Sequence, residues 1–72
     1  MKHSEIARVQ AYLRQTLGNN KIKVIPPKKS GSPIEVTVND EFLGVLHRDE
    51  DEGEVSFSLM ITILDIDLPE LD

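Results

Sequence analysis

The most regular pattern in the chain is an alternation from Val55 to Leu64. Val55, Phe57, Leu59, Ile61 and Ile63 fall on one face, and Ser56, Ser58, Met60, Thr62 and Leu64 on the other. An alternation of this length predicts a strand with its first face on a core. Near the N-terminus the spacing is helical instead. Ile6, Val9, Leu13 and Leu17 make one apolar stripe flanked by Gln10 and Thr16, so a helix is predicted over about Ser4 to Leu17. Ser4 is its expected N-cap, and Gly18-Asn19-Asn20 its stop, because Gly and Asn tolerate the left-handed conformation.

Three further strands are expected between these two elements. Lys21 to Ile25 alternates and ends at Pro26-Pro27, which cannot donate to a ladder. Lys28 to Pro33 reads as a loop. Ile34 to Val38 is β-branched at four of its five positions, which favours a strand. Asn39-Asp40 is a turn signal, and Glu41 to His47 the returning strand. Arg48 to Glu54 reads as a solvated acidic connection. The segment 64–72 is expected to be a flexible tail that frays or makes a short turn.

The predicted fold is therefore α+β: an N-terminal helix packed on a four-stranded antiparallel sheet, in the order α-β-β-β-β, as a meander. The apolar face of the last strand is expected to meet the helical stripe, with Leu13 and Phe57 in the core. At 72 residues the chain is one small domain, spanning 1–72.

A helix covers only one side of a sheet, and here the third strand has apolar residues on both. Phe42 and Leu46 share one side, Leu43 and Val45 the other, and Met60 and Leu64 lie opposite the expected core face of the last strand. An apolar surface at Phe42, Leu46, Met60 and Leu64 is thus expected away from the helix, or at Leu43 and Val45 if the register runs the other way. Periodicity alone does not say which side of the third strand meets the helix.

Charge adds a second asymmetry beneath the net value of -5. Residues 1–33 carry seven bases (Lys2, Arg8, Arg14, Lys21, Lys23, Lys28, Lys29) against Glu5, a net of +6. Residues 34–72 carry Arg48 against twelve acids, a net of -11. Such a chain either interleaves its halves on folding or keeps a bipolar surface that attracts a partner or a second copy. There is no Cys, which removes disulfides and thiolate metal sites. No apolar run approaches the roughly 20 residues needed to span a bilayer, and no apolar signal region opens the chain; a cytoplasmic location is expected.

Two blocks carry a family resemblance. One is Glu5-Ile6-Ala7-Arg8-Val9-Gln10-Ala11-Tyr12-Leu13-Arg14 with Gly18-Asn19. The other runs from Val38-Asn39-Asp40-Glu41-Phe42-Leu43-Gly44-Val45-Leu46 through Asp49-Glu50-Asp51-Glu52-Gly53-Glu54-Val55-Ser56-Phe57 to Ile63-Leu64-Asp65-Ile66-Asp67-Leu68. The chain resembles a small bacterial family, found mainly in alphaproteobacteria, known as a domain of unknown function. The resemblance implies a free-standing bacterial domain and brings no catalytic or binding residue with it.

No constellation for catalysis is evident. A site needs a nucleophile, a base and a group that orients the base, and the chain offers His3 near its start and His47 at a strand end. Asp49-Glu50-Asp51-Glu52-Gly53-Glu54 has oxygen ligands suited to Ca²⁺ or Mg²⁺, but its spacing fails the EF-hand pattern, with Met60 where the bidentate Glu belongs. Lys21, Lys23, Lys28 and Lys29, with Arg8 and Arg14, are the available phosphate-binding set, accompanied by few aromatics for stacking: Tyr12, Phe42 and Phe57. The expected function is a non-enzymatic protein-interaction domain that self-associates, with no metal and no cofactor. Its rivals are a nucleic-acid-binding accessory domain using the basic half, and a small-ligand or metal-binding domain using the acidic loop.

Overall fold

The computed structural model describes residues 2–29 and 31–71. Met1, Ser30 and Asp72, placed above in the N-terminus, the loop and the tail, lie outside the described residues. The helix α1 spans His3–Leu17. It begins before Ser4, which is a helical residue and not the cap. The N-cap is Lys2, in extended conformation, whose ammonium has no lone pair to offer an orphan N–H. Glu5 does the capping in reverse: its Oε1 accepts the Lys2 backbone N–H at 3.2 Å, a reach a carboxylate at the third helical position makes readily. The helix stops at Gly18 in the left-handed region, φ 64°, and the Asn19 N–H closes on the Arg14 carbonyl at 3.0 Å.

Four strands follow: β1 Ile22–Ile25, β2 Ile34–Val38, β3 Glu41–Asp51 and β4 Glu54–Met60. They form one sheet in the order β1-β2-β3-β4, every neighbouring pair antiparallel. This is the expected meander. The β2–β3 turn falls at Asn39-Asp40, with φ of 52° and 66°. Two consecutive left-handed residues make the turn whose twist matches the flanking strands.

The acidic segment departs from expectation. It is not a connection but a ladder, with Arg48 opposite Phe57, Glu50 opposite Val55 and Asp51 opposite Glu54. Glu52 and Gly53, at φ 51° and 82°, form a second turn of the same kind. The acidic side chains all stay exposed, so pairing their backbone costs no charge desolvation. The last strand is also shorter than its alternation implies. β4 ends at Met60, opposite Val45, and Ile61 to Leu64 leave the sheet before a single 3₁₀ turn at Asp65–Asp67.

The reason lies one position back on β3. Val36 pairs with Gly44 and Thr37 with Phe42, so Leu43 is an extra residue. A bulge of this kind sets two residues against one and breaks the ladder locally. Gly44 would have been the partner of Ile61. There the departing chain passes so close that a Cβ on Gly44 would collide with the Met60 carbonyl oxygen and lie 3.2 Å from Ile61 Cγ1.

The bulge also decides which side chains are buried. Leu43 turns to the core side with Leu46, while Phe42 and Val45 share the open face. The core is Ile6, Ile22, Val24, Ile34, Val36 and Leu46, with Val9, Leu13, Val38, Leu43 and Leu59 packed against it. Two expectations change accordingly. Leu17, the last residue of α1, is exposed. Phe57 is not a core residue: it is 37% exposed. The strand running beside α1 is β1, at the opposite edge from β4.

Candidate interaction site

The two edges of the sheet are treated differently. On β1 two of the outward backbone groups are taken by the helix. Gln10 Oε1 accepts the Val24 N–H at 3.0 Å, and Arg14 Nε donates to the Ile22 carbonyl at 2.8 Å. The two side chains sit four residues apart on one helical face and cap the strand like a partial fifth strand. From sequence, Gln10 stands beside the apolar stripe and Arg14 in the basic set, with neither given this role; a polar pair bordering an apolar stripe is the signal that could have found it.

The β4 edge has no such cover among the described residues. β4 is seven residues long and carries no charge from Val55 to Met60. Its first five residues belong to an arm. Ile34, the first residue of β2, pairs with Leu46, so His47–Asp51 of β3 pair with β4 and nothing else. This arm helps extend the molecule to 47 × 25 × 22 Å. A two-stranded ribbon is marginally stable at best in water.

The arm is amphipathic. Register places His47, Asp49 and Asp51 with Ser56 and Ser58 on the open side, and Val55 and Phe57 on the helix side with Arg48 and Glu50. Arg48 ties the arm to the helix start: its Nε donates to Glu5 Oε2 at 3.0 Å, and its Nη2 lies 3.8 Å from Glu50 Oε1. The Lys2 N–H and then the Arg48 hydrogen bond hold the Glu5 carboxyl below its ordinary pKa. Between α1 and the arm lies an open groove of about 730 Å³, lined by Arg8, Val9, Tyr12, Leu13, Val55 and Phe57, with Glu5 and Ser56 completing it. Tyr12 is 65% exposed there. Arg8 has no ion-pair partner among the described residues.

The expected surface at Phe42, Leu46, Met60 and Leu64 does not assemble. Leu46 is 3% exposed and belongs to the core, because the bulge reverses the pairing of faces read from strict alternation. Phe42 and Met60 are exposed on the open face, and Leu64 is exposed beyond the end of β4. The tail does not cover them. Every described residue from Met60 to Leu71 is exposed, Ile66 at 86% and Leu71 at 88%.

Of the basic set, Arg14 is engaged at the β1 edge and Lys23 lies 3.4 Å from Asp40. Among the described residues no group of three or more His, Asp or Glu is arranged to hold a metal ion. Nor is any described helix long and apolar enough to cross a membrane.

No curated protein and no solved structure matches the chain. A family model, described as a protein of unknown function (DUF3126), matches residues 5–67. With most of its length accounted for in this way, from the capping Glu5 to the 3₁₀ turn, the chain belongs to the DUF3126 family.

Proposed function

We propose that this domain is a non-enzymatic protein-interaction module that self-associates through its β4 side. One observation carries the reading: the helix closes the β1 edge with Gln10 and Arg14, while the β4 edge and the apolar side of its arm are left open. An uncharged, unpaired edge is a template for another strand. The exposed Val55, Phe57 and Tyr12 beside it form an apolar patch of the kind that marks interaction surfaces. The bacterial, cytoplasmic setting expected from the sequence is part of this proposal.

Sedimentation of the full chain tests it. The expected result is a dimer or higher species at high micromolar concentration, converted to a folded monomer by Phe57→Lys, which sets a charge on the arm at an exposed position. A wild-type chain that stays monomeric over that range would overturn the proposal.

A further inference from the structure

Resting on this self-association, we infer that the groove between α1 and the arm is filled by the C-terminal segment, residues 61–71, of a second copy. The two parts match in kind. The groove offers the apolar surfaces of Val9, Tyr12, Leu13, Val55 and Phe57. The segment carries Ile61, Ile63, Leu64, Ile66, Leu68 and Leu71, all exposed in the protomer, and its 3₁₀ turn lies beside no other element. An apolar run of this density left exposed is unfavourable until something covers it.

Charge matches as well. The segment bears Asp65, Asp67 and Glu70 and no base. The groove bears Arg8 without an ion-pair partner among the described residues, while the acids on the same side, Glu5 and Glu50, lie 3.0 and 3.8 Å from the Arg48 guanidinium. An acidic apolar segment therefore meets one positive charge and no free negative one.

Chain direction favours a second copy over the segment's own groove. The groove lies at the start of β4, and the segment leaves from its end. Met60 and Ile61 sit close over Gly44, at the far end of β4 from the groove, and Leu64 is still extended, φ -82° and ψ 140°. Exchange between two copies satisfies both grooves at once, as a twofold assembly requires.

The chain's lack of Cys makes one introduced thiol unique. A full-length Ile66→Cys chain carrying a spin label, unlabelled with ¹⁵N, is mixed with ¹⁵N wild type. The expected result is broadening of the Val9, Tyr12, Leu13, Val55 and Phe57 amides, lost on adding excess unlabelled wild type. In parallel, Leu68→Ser in the full chain weakens dimerisation by about tenfold or more, and Arg8→Glu weakens it until Asp65→Lys and Asp67→Lys are added on the same chain. A dimer whose groove amides stay sharp overturns the exchange and leaves self-association standing. Broadening that occurs only when label and isotope share a chain puts the segment in its own groove and also overturns it. A monomer throughout removes both readings.

Discussion

Arg48, in the arm portion of β3, reaches Glu5 in the first turn of α1 with its Nε 3.0 Å from Oε2. Forty-three positions separate them, and the pair anchors the arm to the body of the domain where β2 no longer supports it. Because Glu5 also accepts the Lys2 N–H, one carboxylate closes the helix start and holds the arm.

A pH dependence follows. The folded pKa of Glu5 lies below its ordinary value of 4.5, through the Lys2 N–H first and Arg48 next. A depressed carboxylate contributes stability that is complete above the unfolded pKa and is lost as pH falls through the folded one. Melting of wild type and Glu5→Gln between neutral pH and strong acid is the check. The wild-type advantage should be constant near neutrality and shrink below about pH 4.5; a difference that does not narrow in acid would contradict the pairing.

Gly44 is expected to resist replacement. In Gly44→Ala the new methyl meets the Met60 carbonyl oxygen, which is backbone and cannot rotate aside. Overpacking of this kind costs about 1–3 kcal/mol. Denaturant unfolding measures it, and a neutral result would mean that the exit of β4 is not held at Gly44.

Leu46 and Phe57 should behave as a buried and a half-exposed residue. Leu46→Ala is expected to cost about 2–5 kcal/mol. Phe57→Ala, at dilution sufficient to keep the chain monomeric, should cost less than the roughly 3 kcal/mol at the bottom of the buried-Phe range. Equal costs would place Phe57 in the core after all.

Gln10→Ala removes the partner of the Val24 N–H. Leaving such a donor unsatisfied costs about 1–3 kcal/mol. Hydrogen exchange gives the sharper reading: the Val24 amide should accelerate more than neighbouring β1 amides do. Uniform acceleration along β1 would indicate general loosening and not the loss of an edge cap.

Element types were legible in the chain because they depend on near neighbours. The spacing of Ile6, Val9 and Leu13 forces a helix with one apolar face, and β-branched Ile34, Val36 and Val38 favour a strand whatever surrounds them. Asn39-Asp40 announced its turn by tolerating positive φ. Short connections then left few alternatives to a meander.

Placement of side chains was another matter. A period of two assigns faces only while the ladder is unbroken, and the single extra residue at Leu43 exchanged the partners of Phe42 and Leu46. The extension of β3 through Arg48–Asp51 was hidden because a run of charge reads as loop, although charged residues pair in a ladder at no desolvation cost when both faces stay wet. The short β4 was hidden because its alternation continues past the point where Gly44 ceases to offer a partner. The groove is tertiary in the fullest sense: Val9, Tyr12 and Leu13 come from one end of the chain and Val55 and Phe57 from the other. Local sequence set the kind of α1, β1, β2 and the start of β4; only packing, through one bulge and a helix seated beside β1, decided how far β3 runs, which apolar residues are covered and which remain open for a partner.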